Sequence, residues 1–349
     1  TDEQDQAYLV AAPLDSLDSS PIVADLVALQ LAKPIERQWR LTSYSAISQQ
    51  QSHLEILIPG LDEGRDQTDE DELLMNSEQS HSAFTFEKGA NAGSFLHGVL
   101  ENIDFSQAAT LPEAIAQQSI KFAINEEWHD LLNTWLSDVL KANIATTLSG
   151  AELSLAQLDA SQVKVEMEFY MPLKHVQVGA FNQLINHFMP HSQRQYEFAQ
   201  LNGMLKGFID LTFSFDGQFY VADYKSNHLG HDYADYQLAS LERAMQEHDY
   251  HLQAILYTLA LHRWLGQQLP DYNYQQHMGG AYYLFLRGMH SEKPASGVYH
   301  YLADERFIMA LDSLFNGEPL AEFSQAKTPP KPGKEQQGNE TEKGQLDLW

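Results

Sequence analysis

Hydrophobic and polar positions alternate with period two from Leu205 to Asn227, on either side of Asp216-Gly217. Period two is the mark of strands, and Asp-Gly suits a two-residue type I′ turn, whose central residues both need positive φ. The stretch therefore predicts a β-hairpin. Leu205, Gly207, Ile209, Leu211, Phe213 and Phe215 share one face; Lys206, Phe208, Asp210, Thr212 and Ser214 share the other. A two-residue loop sets Phe215 opposite Gln218, which puts Asp210 opposite Asp223 and Phe208 opposite Lys225. Two carboxylates about 5 Å apart repel by roughly 3 kcal/mol at an effective dielectric near 20. Two readings of that face are open at this point: a solvated surface carrying two acids, or a cation site with a lysine beside it.

Other periodic stretches fill out an α/β pattern. Pro21–Leu31 predicts a short helix with proline at its start, and Glu36–Tyr44 an extended segment. Lys88–Asp104 reads as a glycine-rich loop entering a helix with Phe95, Leu96, Val99 and Leu100 on its apolar face; His97 and Glu101 lie four apart on another. Trp128–Leu140 is an amphipathic helix. Val163–Tyr170 alternates as a strand, with Val163, Val165, Met167 and Phe169 inward and Lys164, Glu166, Glu168 and Tyr170 outward. Its glutamates are solvated, or one adds a ligand to a nearby carboxylate pair. Ala234–Leu265 is helical with a break near His248-Asp249; Gln253 and Tyr257 form an i, i+4 pair beside its buried stripe. Gly279–Leu286 has the length and apolarity of a central strand, ended by Arg287 and Gly288.

Composition narrows the function classes. The 349 residues carry a formal charge of −27 and no cysteine. Disulfides, zinc–thiolate sites and iron–sulfur clusters are excluded. Such acidity argues against a chain that grips nucleic acid alone, unless metal ions or partner subunits supply positive charge. No run approaches the ~18 apolar residues of a membrane span, and the first residues lack a signal-peptide core, so a cytoplasmic protein without membrane contact is expected. Residues 62–82 hold eight acids against Arg65 and read as a flexible acidic loop. Residues 325–349 read as a disordered tail ending Gln345-Leu346-Asp347-Leu348-Trp349. No phosphate-binding G-x-x-x-x-G-K-[ST] motif is present, so this chain is not an ATP-driven motor by itself.

Gly207-Phe208-Ile209-Asp210 followed by Asp223-Tyr224-Lys225-Ser226-Asn227 resembles the PD-(D/E)XK nuclease core, and more closely the C-terminal nuclease domain of the RecB family. Gly93–His97, Glu166–Tyr170, Met204–Leu211, Asp223–Gly230, Gln253-x-x-x-Tyr257 and Tyr283–Gly288 carry the likeness, which runs from about Trp39 to about residue 320. The resemblance implies a restriction-endonuclease-like α/β fold, a central mixed sheet flanked by helices, within residues 83–324. Residues 1–61 would join an upstream helicase region. It implies His97, Asp210, Asp223 and the Tyr224 carbonyl as metal ligands, Glu166 as the upstream acid, Lys225 as the catalytic lysine, and Gln253 and Tyr257 as site-ordering or DNA-contacting residues. Ile209 stands where the wider superfamily has proline. A glycosidase reading falls away, because nothing else suggests a sugar cleft.

The expected activity is Mg²⁺-dependent hydrolysis of DNA phosphodiesters in end processing for double-strand break repair and recombination. Mn²⁺ is an alternative ion, and Ca²⁺ would bind without supporting catalysis. Expected partners are DNA, fed as single strands by a helicase, and RecC- and RecD-like subunits. The terminal peptide resembles the pentapeptide that binds the sliding clamp, with Gln345, Leu346, Leu348 and Trp349 as contacts. The rival class is a non-catalytic nuclease-like docking module for the same partners.

Overall fold

The computed structural model describes residues 39–48, 81–146, 152–190, 192, 194–198 and 200–319. The helix expected at Pro21–Leu31, all but His81 and Ser82 of the acidic loop, and the terminal peptide lie outside the described residues.

In chain order the elements are β1 (Arg40–Thr42), α1 (Tyr44–Ser48), α2 (Ala90–Glu101), α3 (Leu111–Phe122), α4 (His129–Lys141), β2 (Ala145–Thr146), β3 (Glu152–Leu153), β4 (Val163–Val176), α5 (Val178–Phe188), β5 (Leu201–Phe215), β6 (Gln218–Lys225), α6 (Leu238–Glu247), α7 (Tyr250–Gln268), α8 (Tyr274–His277), β7 (Met278–Phe285), β8 (Val298–Tyr301) and α9 (Glu305–Phe315). Six strands form one mixed sheet in the order β1-β5-β6-β7-β8, with β4 also paired to β5. The β6–β7 pair is parallel, reached by the crossover through α6 and α7, and the remaining long pairs are antiparallel. This is the α/β fold expected from the sequence.

Apolar alternation builds a core on each side of the sheet. One holds Phe95, Leu96, Val99 and Leu136 of α2 and α4 against Leu211, Phe213, Tyr220, Ala222, Tyr224 and Leu284. The other holds Phe181, Leu252, Leu256, Leu259 and Leu311 of α5, α7 and α9 against Met167, Phe169, Ile209, Val221, Tyr283 and Phe285. β6 and β7 are buried on both faces, as strands covered by helices on both sides must be.

The hairpin forms as the turn dictates. Asp216 and Gly217 have φ of 50° and 79°, and Phe215 pairs with Gln218. The pairing continues only to Leu211–Ala222. Beyond that point the strands part. β1 pairs with β5 at Gly203–Leu205 while β4 pairs there too, so β1 occupies the side of β5 that β6 has left. The continuous apolar alternation of β5 also changes cores, with Ile209 on one side of the sheet and Leu211 on the other. The change coincides with Glu166 of β4, which stands opposite Asp210 between the pairs Val165–Leu211 and Met167–Ile209 and has φ 46°. A glutamate in the left-handed region is uncommon inside a strand and bends it locally.

Candidate active site

The fork between β5 and β6 corrects the simple hairpin picture. Asp210 and Asp223 are not facing members of a continuing ladder. Where the next rung would fall, the Tyr224 N–H donates to Asp210 Oδ2 at 2.9 Å. Phe208 does not face Lys225 either: its partner is Glu168 on β4, while Lys225 pairs with Phe285 on β7. The turn set the register correctly, but strand divergence ended it one residue before the acids.

The divergence lets groups from both faces of the sheet meet in one place. His97, on α2, contacts the Tyr224 carbonyl through Nε2 at 2.9 Å and approaches Asp210 Oδ2 through Nδ1 at 3.5 Å. Helical spacing explains its placement: Phe95, Leu96, Val99 and Leu100 bury the helix in the α2–α4 core and aim His97 at the sheet. From the other face, Lys225 Nζ lies 2.6 Å from Asp223 Oδ2, with both side chains almost wholly buried. The ammonium also stands 4.0 Å from the Tyr250 ring centroid and 5.6 Å from that of Tyr283. A buried lysine is tolerable only with such partners, because desolvation penalises an unpaired charge heavily.

The electrostatics are unbalanced. Burial first, and then Asp223, push the Asp210 carboxyl up to about 7, against the opposing pull of His97, Lys225 and the Tyr224 amide. Glu101, one turn after His97, is raised by burial and by Glu166, with His97 and Lys121 opposing. The raised carboxyls mark a buried cluster of acids, desolvation being the larger cause in both. The donors at the fork are carboxylate oxygens, a main-chain carbonyl and an imidazole, which suit a hard divalent cation. Among the described residues no three His, Asp or Glu side chains are gathered as a ready cage; the imidazole and the Tyr224 carbonyl are bonded to each other.

Gln253 and Tyr257 are not a helix surface pair. Both are buried, and Gln253 Nε2 donates to Tyr257 Oη at 3.1 Å. Gln253 Oε1 accepts from Tyr283 OH at 3.0 Å, and that hydroxyl also donates to the Tyr250 carbonyl at 2.9 Å. Gln253 is thus linked through Tyr283 and Tyr250 to the rings that flank Lys225. Tyr257 is one step further out, packed edge-on against Phe169.

Sequence reasoning missed Glu101 and Arg287. Glu101 was visible only as a helix neighbour of His97. Arg287 was read as the end of a strand, yet it is fully buried. It donates to the carbonyls of Ser226 at 2.7 Å, Ala83 at 2.7 Å, Phe86 at 3.0 Å and Glu87. One guanidinium thus ties the residue after Lys225 to the segment leading into α2. A lone buried arginine has no local sequence signal, because its acceptors are main-chain atoms far away along the chain.

A mixed sheet that opens at an Asp and an Asp-x-Lys, between a histidine-bearing helix and a tyrosine-rich one, defines a nuclease core. A family profile described as the PD-(D/E)XK nuclease superfamily matches residues 72–338, and this chain belongs to that superfamily. It is similar to the RecBCD enzyme subunit RecB of Escherichia coli (strain K12), 38% identical over 304 residues, covering 86% of this chain and 25% of the relative. It is also similar to the subunit of the same name from Haemophilus influenzae, 33% identical over 306 residues, covering 83% and 25%. The Mycobacterium tuberculosis (strain H37Rv) subunit is 30% identical over 296 residues, covering 73% and 26%. The chain spans about a quarter of the length of these curated relatives.

Proposed function

We propose that this chain is the nuclease domain of a RecBCD-type helicase–nuclease and hydrolyses DNA phosphodiester bonds with Mg²⁺, Mn²⁺ being an alternative. The observation that carries this reading is the convergence of Asp210, Asp223, Lys225, His97 and the Tyr224 carbonyl at the β5–β6 fork. Asp210, Asp223, the Tyr224 carbonyl and His97 would hold the ion. An ion held there would supply Lewis-acid chemistry, making water more acidic and offsetting negative charge at the scissile phosphate. Lys225, held between Asp223 and the Tyr250 ring, orients the attacking water or stabilises the developing anion in a partly dry site. Glu166 and Glu101 extend the acid cluster at its edge and orient water. Gln253 and Tyr283 keep Tyr250 in place beside the lysine, and Tyr257 backs Gln253.

The charge of −27 fits a domain that receives a strand threaded by a motor and by RecC- and RecD-like partners in the cytoplasm. No helix among the described residues is long and apolar enough to cross a membrane. The deciding experiment is cleavage of labelled linear and single-stranded DNA in Mg²⁺ by wild type, Asp210→Asn and Asp223→Asn, with folding checked by circular dichroism. The expected outcome is Mg²⁺-dependent cleavage lost by at least about a hundredfold in each folded variant. Cleavage near the wild-type rate in Asp223→Asn would sink the proposal. A wild-type protein inert in every divalent ion would favour the docking-module reading.

A further inference from the structure

The outward face of β4 and β5 carries a feature that the catalytic fork does not use. Tyr170 pairs with Lys206, Glu168 with Phe208, and Glu166 stands opposite Asp210. These residues alternate with Met167, Phe169 and Ile209, which fill the core on the other side of the sheet. On the outer side of these rungs Glu168 and Tyr170 are exposed, and Lys206 and Phe208 are half-buried. Tyr170 is 49% exposed, a rare state for so large a ring among the described residues. Lys206 stands between two rings, its Nζ 5.3 Å from the Tyr170 centroid and 4.9 Å from that of Phe208. The row leads straight to the fork: Phe208 lies two residues before Asp210, roughly 7 Å along the strand, and Lys206 roughly 13 Å.

An aromatic–cation–aromatic row beside a phosphodiesterase site has the chemistry of a platform for single-stranded nucleic acid. Rings stack bases of any identity, and a cation on the same face tracks the backbone. The rings of Tyr170 and Phe208 are offset by one two-residue step, roughly 7 Å along the paired strands. We infer that Tyr170, Lys206 and Phe208 form a base-stacking platform that holds single-stranded nucleic acid next to the cleavage site. This rests on the nuclease reading for its direction but not for its existence.

Glu168 tunes the platform. It takes Lys206 Nζ at 2.6 Å and accepts from Tyr170 OH at 2.9 Å, so the cation is already engaged in the free protein. An incoming phosphate competes with that carboxylate. Affinity therefore comes mainly from stacking and stays modest, and it lets a threaded strand move on rather than stick. In a chain this acidic, removal of one competing carboxylate strengthens binding.

The test is fluorescence anisotropy with labelled oligo(dT) and with a blunt duplex of the same length, in EDTA, on the full chain. Tyr170→Ala and Lys206→Ala are expected to weaken oligo(dT) binding about tenfold each, and Glu168→Gln to tighten it several-fold. Duplex binding is expected to change less than twofold in Tyr170→Ala, because paired bases cannot reach the ring. Tyr170 is exposed, so its truncation leaves folding intact; a melting temperature within two degrees of wild type checks this. Equal oligo(dT) affinity for wild type and a folded Tyr170→Ala overturns the platform, even if wild type cleaves DNA. Weakened binding in Tyr170→Ala alongside a wild type that never cleaves supports the platform and sinks the nuclease reading instead.

Discussion

Arg287→Met tests how the residue after Lys225 is braced to the segment that enters α2. The guanidinium is fully buried, with donors on four main-chain carbonyls, those of Ser226, Ala83, Phe86 and Glu87. Methionine fills much of the volume and supplies no donor. Each stranded buried carbonyl costs about 1–3 kcal/mol. Water entering the space and relief of the guanidinium's own desolvation return part of this. The net loss is expected to be about 3–5 kcal/mol, a large share of the ~5–15 kcal/mol typical of a domain. Urea unfolding followed by tryptophan fluorescence and far-UV circular dichroism measures it. Trp135 is well placed to report, since its ring lies 6.0 Å from the guanidinium carbon and its Nε1 donates to the Leu286 carbonyl at 2.9 Å. Arg287→Lys should recover part of the loss, because one ammonium cannot span all four acceptors. Cleavage should fall in both variants even below the unfolding transition, because the entry to α2, and with it His97, loses its brace. If Arg287→Met is within 1 kcal/mol of wild type, the bracing argument fails.

Four further outcomes follow, three from other features of the structure and one from the sequence of the terminal peptide. Asp249, beside the Tyr196 hydroxyl, is pushed by burial up to about 6 from its ordinary 3.8. The folded protein therefore keeps that proton more tightly than the unfolded chain, so this contribution to stability is fully present below about pH 4 and is lost as pH rises through about 6. A gap of about two pH units corresponds to roughly 3 kcal/mol; Asp249→Asn should flatten that part of the pH–stability curve, and an unchanged slope refutes it. Gly203 has φ 139°, and a Cβ there would lie 1.9 Å from the Arg40 carbonyl oxygen, so Gly203→Ala should displace β1 and lower stability by about 2 kcal/mol or more in a denaturant titration. Tyr283→Phe removes the hydroxyl shared by Gln253 and the Tyr250 carbonyl and should cost about 1–2 kcal/mol with a several-fold drop in kcat; wild-type kcat would detach α7 from the site. For the terminal peptide, anisotropy of labelled Gln345–Trp349 against a sliding clamp should show binding that Leu348→Ala and Trp349→Ala remove.

What the sequence determined by itself is local. Asp216-Gly217 dictated a hairpin and its register, because only a type I′ turn fits two residues with positive φ between twisted strands. The alternation of β4 named which residues are turned from solvent, though not that Val163 and Val165 meet one core and Met167 and Phe169 the other; the break at His248-Asp249 was written in the periodicity, and the residue types at Asp210, Asp223 and Lys225 suggested a cation site. Only the tertiary structure decided where the register ends. The fork depends on β1, arriving from over a hundred residues away, taking the side of β5 that β6 leaves, and on Glu166 bending β4 opposite Asp210. The same holds for Arg287 and for the Gln253–Tyr283–Tyr250 chain beside Lys225, whose partners are distant in sequence. Turns and periodicity are set by neighbouring residues. The ends of ladders and the partners of buried charges are set by what packs against them, and no window of sequence contains that.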